Sequence, residues 1–212
     1  MPNDRLGLPQ DINSHLLSSE EDCYYSLTDT VKVTEYAPNI FGFLRSQDGI
    51  SLDDIQTSLD PLSNLSAISN AGESQGKSGS FFFFSGDKRF IIKTMTTSDL
   101  STFKKIFKKY VRHVCQNQDS LIARIYGVYT IKMQDMEPIN VVLMENTKRT
   151  YNDDTTLMYV FDLKGSQVNR EAKPKKNVPL KATTCRKDMN ILKMTRNEKF
   201  LFLSLNDKKK IE

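Results

Sequence analysis

The chain is poor in the residues that build metal centres. It has three cysteines, Cys23, Cys115 and Cys185, and two histidines, His15 and His113, among 212 residues. The cysteines lie far apart, form no C-x-x-C pair and have no histidine beside them. That argues against a zinc site and fits a reducing compartment. Neither histidine has a neighbour that would make it catalytic; His113 sits at the edge of a helical stripe. No apolar run nears the roughly 18–20 residues of a membrane span. The start, MPNDRLGLPQ, lacks the basic and then apolar pattern of a secretory leader. No internal repeat is present. Charge of one sign is also scarce. The net charge is +4 and the pI about 8.8, too mild to choose between nucleic acid, lipid and neither.

What is present suits a soluble globular protein with some disordered length: 38% hydrophobic and 26% charged residues, enough chain for one domain or two small lobes. Residues 1–30 are polar and acidic and read as a poorly ordered tail or as the end of something upstream. Residues 34–60 read as two helices. Pro38 suits a first turn, and Ile40, Phe41 and Leu44 follow at helical spacing. Gly49 stops the first helix, and Ser51 with Asp54 resembles a capping box that starts the second. Residues 63–80, rich in Ser, Asn and Gly, form a loop. Phe81–Phe84, the turn Ser85-Gly86-Asp87-Lys88 and Arg89–Thr94 then predict a β-hairpin. Residues 98–114 predict a helix capped by Ser98, with an apolar stripe of Phe103, Ile106, Phe107, Tyr110, Val111 and Val114. Residues 121–133 and 139–145 predict an antiparallel pair, and Met158–Leu163 a short strand. Residues 170–190 read as a basic loop, and the last twenty as weakly helical.

The stretch GKSGSFFFFSGDKRFIIKTM (76–95) invites comparison with a phosphate-binding P-loop. Gly72 to Gly76-Lys77-Ser78 is one residue short of that pattern, and a strand follows where a helix should begin. A glycine-rich turn between antiparallel strands is the other way to cradle phosphate. Gly76, Ser78, Gly79 and Ser80 offer small side chains and backbone N–H groups. On the strand that follows, Ile91 and Lys93 share one face, and Phe90 and Ile92 the other. An apolar residue two before a lysine, beneath such a loop, is how protein kinases meet adenine and the α- and β-phosphates. A core hairpin with a surface lysine fits the stretch equally well.

A second stretch, MYVFDLKGS (158–166), tips the balance. A short strand delivers Asp162, and Lys164 lies two residues on. The kinase catalytic loop has the pattern D-L-K, with its aspartate orienting the attacking hydroxyl and its lysine facing the transferred phosphoryl group, although a buried strand followed by D-x-K-G-S also occurs in ordinary turns.

Together SGSFFFFSGDKRFIIKT, SLIARIYGVYTIKM, INVVLMENT, FDLKGSQVNRE and RKDMNIL resemble the phosphatidylinositol phosphate kinases. EYAPNIFGFLRSQDGIS resembles the segment leading into their core. The likeness runs from about residue 31 to the end. It implies an α+β, two-lobed kinase-like fold with an antiparallel sheet in the N-terminal lobe. That lobe would span about 31–147, and the start of the C-terminal lobe about 148–212. It implies ATP-dependent phosphorylation of a phosphatidylinositol phosphate, with ATP and Mg²⁺ as cofactors. By position, Ser78, Gly79 and Ser80 become the phosphate loop, Lys93 the ATP lysine, and Ile91 part of the adenine site. Met144, Glu145 and Asn146 fall in the hinge. Asp162 and Lys164 become catalytic, and Arg170 contacts phosphate of ATP or lipid. Asp188 and Asn190 match a segment whose role is structural. The resemblance also implies a peripheral, cytoplasmic location at the inner face of the plasma membrane, and leaves a homodimer open.

Two departures bear on activity. The family's glutamate partner for the ATP lysine is missing; Asp99 is the one acid near that position. The chain ends at Glu212 before the family's second, metal-holding aspartate in a Met-Asp-Tyr-Ser-type motif and before its activation loop. An incomplete C-terminal lobe and a severe loss of rate are therefore expected, with the catalytically impaired scaffold as the alternative. The basic face from Lys104 to Arg112 and the loop Lys173–Lys187 read either as solvated surfaces or as surfaces for anionic lipid. Neither has aromatics set for base stacking, so no nucleic-acid partner is expected.

Overall fold

Where apolar residues alternate the chain extends and pairs, and where they recur every three or four it coils. The computed structural model describes residues 21–66, 68, 80–147, 160–174, 180 and 184–197. Most of the expected tail, much of the serine-rich loop and most of the weakly helical end lie outside the described residues. The chain divides into two units between Thr147 and Lys148.

The first unit holds strands β1 (Cys23–Thr28) and β2 (Val31–Glu35), helices α1 (Pro38–Gln47) and α2 (Leu52–Leu59), strands β3 (Phe82–Phe84) and β4 (Phe90–Met95), helix α3 (Thr97–Gln116), and strands β5 (Ile125–Met133) and β6 (Ile139–Glu145). Its six strands form one open antiparallel sheet in the order β1-β2-β5-β6-β4-β3. The architecture is the α+β one expected of an N-terminal kinase-like lobe. The expected antiparallel pair is β5–β6, and the expected hairpin is β3–β4. β1 falls within the stretch read as a tail. Its residues are nearly all exposed, so it carries no apolar alternation to announce it, and its backbone pairing with β2 holds it.

One face of the sheet packs against α1 and α3. Ile40, Phe41 and Leu44 from α1 meet Leu100, Phe107, Tyr110, Val111 and Val114 from α3 over Val128 and Val142. Burial of each such side chain contributes about 1.5–3 kcal/mol. The expected stripe of α3 is present except for Ile106, which lies 48% exposed. The cap also differs from the expected Ser98. Thr96 accepts the Asp99 amide while Asp99 accepts the Thr96 amide, closing a capping box two residues earlier. The opposite face buries Phe90, Tyr126 and Leu143 against Ile50 and, from α2, Ile55 and Leu59. Phe90 and Tyr126 meet edge to face with ring centres 5.9 Å apart. At Gly127 a Cβ would stand 2.5 Å from the Tyr129 hydroxyl, so only glycine lets that ring lie flat along β5. Arg45 is buried between α1 and the sheet and donates from Nη1 to the Tyr126 carbonyl at 2.7 Å.

The second unit places β7 (Val160–Asp162) parallel to β8 (Cys185–Lys187), with α4 (Asp188–Asn197) following at once. β8 and the start of α4 lie within the segment read as a basic loop.

Candidate active site

The first group of site residues lies on the helix-packed face of the sheet. In the antiparallel register Ile91 stands opposite Met144, and Lys93 opposite Val142. Phe84 and Phe82 stand opposite the same two β4 residues from the other side. Cross-strand partners share a face, so Ile91, Lys93 and Met144 form one half-buried patch at the end of the sheet away from β1. The Lys93 ammonium lies over the Phe82 ring, 5.4 Å from its centre. Among the described residues it has no carboxylate within ion-pairing distance. Asp99 is occupied by its capping box. The Thr96 hydroxyl and amide hold its carboxyl below the usual range, and Lys93 adds only the smallest contribution. The run of phenylalanines does not enter the core: Phe82 and Phe83 are half-buried, and Phe81 and Phe84 exposed.

The hairpin's position is fixed by a polar knot at its turn. Asp87 accepts from the hydroxyls of Ser58 and Ser85 and from the Arg89 amide. Burial opposes its charge, yet these donors outweigh burial and keep its carboxyl below the usual range. Asn64, almost fully buried, donates to the carbonyls of Ser58 and Asp60 and accepts the Gly86 amide. Arg89 pairs with Asp54 at 2.8 Å. Asn146 donates from its side chain to the Lys88 carbonyl at 2.9 Å, and from its backbone amide to the Arg89 carbonyl. The expected hinge residue Asn146 therefore ties the end of β6 to the hairpin turn.

The second group lies at the end of β7. Asp162 is half-exposed. The guanidinium of Arg170 lies 3.3 Å from its Oδ2, and the Lys164 ammonium 3.6 Å. Arg170 also donates to the Asp162 carbonyl, and from Nε to Asp188 Oδ2 at 2.6 Å. Asp188 Oδ1 accepts the amides of Lys164 (2.9 Å), Gly165 (2.8 Å) and Ser166 (3.4 Å). Gly165, at φ +65°, takes the left-handed turn that aims those amides at one point. Burial opposes charge on Asp188, but Arg170 and the amides prevail and hold its carboxyl well below the ordinary range. Asn190 fastens the next stretch, accepting the amides of Ala172 and Lys187 and donating to the Ala172 carbonyl.

The structure thus brings Ile91, Lys93 and Met144 together, and Asp162, Lys164 and Arg170 together around Asp188. Ser78 and Gly79 lie outside the described residues, and Ser80 is buried at the start of the hairpin. The resemblance gave Asp188 a structural role; that it fastens the Lys164–Ser166 amides and Arg170 was not read from the sequence. Its signal was a lone acid at the start of a helical pattern, directly after a basic run. For Mg²⁺ the fit is poor among the described residues. No three acidic, histidine or cysteine side chains cluster, Asp162 is already faced by two cations, and both oxygens of Asp188 are engaged, one by the amides of the turn after β7 and the other by Arg170.

The family model for phosphatidylinositol-4-phosphate 5-kinase matches residues 62–212. A probable phosphatidylinositol phosphate kinase of Dictyostelium discoideum is 36% identical over 68% of this chain and 20% of its own length. A phosphatidylinositol 4-phosphate 5-kinase of Schizosaccharomyces pombe is 35% identical over 80% of this chain and 22% of its own. A phosphatidylinositol 5-phosphate 4-kinase type-2 alpha of Gallus gallus is 32% identical over 77% of this chain and 37% of its own. The chain therefore spans about a fifth to two fifths of the length of these relatives. With the sheet lysine and the D-L-K-G-S turn both inside the matched residues, the chain belongs to the phosphatidylinositol-4-phosphate 5-kinase family.

Proposed function

We propose that the chain supplies the nucleotide-facing sheet and the catalytic turn of an ATP-dependent phosphoinositide kinase. Its substrate in this reading is phosphatidylinositol 4-phosphate, and its product the 4,5-bisphosphate. The observation that carries the proposal is the turn after β7. There Asp162 is presented half-exposed at a strand end, with Lys164 beside it, on a turn fixed by Asp188. Asp162 would accept the proton of the attacking inositol hydroxyl, and Lys164 would meet the transferred phosphoryl group. Lys93 would meet the ATP phosphates, with Ile91 and Met144 against the base. Mg²⁺ would accompany ATP, but no step is assigned to it. Under this proposal the chain works as a peripheral, cytoplasmic protein at the inner face of the plasma membrane, where its lipid lies.

The test is transfer of labelled phosphate from ATP to vesicles carrying either phosphatidylinositol 4-phosphate or the 5-phosphate. Asp162→Asn is expected to lower turnover by about 10²–10⁴-fold, the range for loss of a general base. Turnover equal to wild type in that variant sinks the assignment of Asp162, and preference for the 5-phosphate sinks that of the substrate. A second reading, a scaffold that binds nucleotide or acidic membrane without turnover, is favoured by the two cations already facing Asp162. It predicts ATP and vesicle binding with no transfer.

A further inference from the structure

A cavity of about 200 Å³ lies in the first unit between α1, α3 and the sheet. It shares no residue with the Lys93 patch or with the turn after β7. Its walls are apolar. Phe41 and Phe103 each stand against the Phe107 ring, with centres 5.3 and 5.6 Å apart. Leu100 and Val128, both buried, line it as well. The Tyr36 ring is fixed by a hydrogen bond between its hydroxyl and that of Thr130, at 2.8 Å. Two charged side chains complete the lining. Lys104 is exposed and Asp22 half-buried, so the charges mark the rim. The Lys104 ammonium lies over the Tyr36 ring, 3.9 Å from its centre, and no carboxylate among the described residues is within ion-pairing distance of it. One Asp22 oxygen accepts the Ala37 amide at 3.3 Å; the other has no hydrogen-bond partner among the described residues.

We propose that this cavity is a binding site for a free amino acid with a large apolar side chain, phenylalanine being the type. An apolar cavity of about 150 Å³ takes benzene, so this one has room for a benzyl group. Aromatic walls receive such a ring offset or edge-on. The rim decides what the rest of the molecule is. A neutral hydrocarbon leaves both rim charges unanswered. An anion alone or a cation alone answers one and faces the other with its own sign. A zwitterion answers both, its α-carboxylate meeting Lys104 and its α-ammonium the unused oxygen of Asp22. The ring contacts and the Tyr36 hydrogen bond shape the walls before a ligand arrives, which limits the ordering that binding must impose. The site uses none of the residues of the kinase reading and stands or falls without it.

Three probes that differ only in their charges test this on the full chain: phenylalanine, 3-phenylpropionate and phenethylamine. Chemical-shift titration, read at the methyl groups of Leu100 and Val128, is expected to give a dissociation constant of about 1 mM for phenylalanine, the range for so small a ligand. Each of the other two should bind about 3–5-fold more weakly, the worth of one ion pair at a rim. Lys104→Met should weaken phenylalanine and 3-phenylpropionate by the same factor and should not weaken phenethylamine. Asp22→Asn, which keeps an acceptor for the Ala37 amide, should weaken phenylalanine and phenethylamine and should not weaken 3-phenylpropionate. Equal affinity for the three probes in wild type reduces the cavity to an apolar hole and overturns the proposal. So does the lack of any shift well above the expected constant, and so do shifts confined to other parts of the chain. Saturating ATP should leave phenylalanine bound; displacement by ATP places the probe at the nucleotide patch and overturns a separate site. The probe comparison needs only the wild-type chain, so it decides the matter should either variant fail to fold.

Discussion

At the scale of single residues, Lys93 is the side chain whose environment says most about its role. It sits on an apolar patch, over the Phe82 ring, with no carboxylate near enough to neutralise it among the described residues. A cation held against a ring contributes about 0.5–1 kcal/mol at an exposed site, so the fold does not depend on it. Lys93→Met, which keeps the stem, is expected to shift stability by less than about 1 kcal/mol. ATP affinity should fall by about 10–100-fold, the worth of a charge-assisted hydrogen bond. Calorimetry with ATP beside a thermal melt reads both, and unchanged ATP affinity would remove Lys93 from the nucleotide site. Much of this was legible beforehand, because period-two alternation alone puts Ile91 and Lys93 on one face. The engagement of Arg170 was not, because its partner Asp188 lies eighteen residues on, across a segment that reads as featureless basic loop.

At the scale of elements, α3 shows where pattern reading succeeds and where it slips. The spacing of Phe103, Phe107, Tyr110, Val111 and Val114 announced a buried stripe, and all five face the α1-packed side. The cap was misplaced because Thr96 and Ser98 are both good cap residues. The choice fell to Asp99, which stands three residues after Thr96 and so completes the reciprocal pair. Thr96→Ala is expected to cost about 1 kcal/mol, and Ser98→Ala a few tenths at most, by denaturant unfolding. Equal losses at the two positions would refute the assigned cap. β1 and β8 escaped notice for another reason. One is exposed along nearly its whole length and the other is three residues long, and backbone pairing leaves no mark on side-chain pattern.

At the scale of the whole molecule, titration should separate the two units. Asp54, Asp60, Asp87 and Asp99 in the first unit, and Asp188 in the second, all have carboxyls held below their usual range by donors in the fold. In the unfolded chain they titrate near pH ~3.9. The stability they contribute is present above about pH 4 and is lost as pH falls through their lower folded values. On the alkaline side, burial pushes the hydroxyls of Tyr110 and Tyr129 up to about 12, against about 10 in the unfolded chain. Their contribution is intact below about pH 10 and is lost as pH climbs toward 12. Both tyrosines lie in the first unit, so acid should weaken both units, and among the described residues the tyrosine-linked alkaline loss falls on the first. Melts across the pH range, with Tyr110→Phe as control, read this. That variant gives up the acceptor for the Ile125 amide but should lose less on going from neutral to alkaline pH. An alkaline loss of the same size in wild type and variant would show that Tyr110 does not set it.

The sheet also ends at β3. Its three residues are all phenylalanine, and among the described residues no strand lies beyond them. Among the described residues the outer edge of the hairpin therefore has no partner strand for its backbone N–H and C=O groups, which are flanked by exposed rings at Phe81 and Phe84. Such an edge is a template for another extended segment. The protein should self-associate with concentration, through growth of intermolecular strand pairing rather than through unfolding. Phe84→Lys, a charge placed on that edge, should raise the concentration at which light scattering sets in and leave the melting temperature nearly unchanged. Scattering that tracks loss of structure instead would locate the tendency elsewhere in the chain.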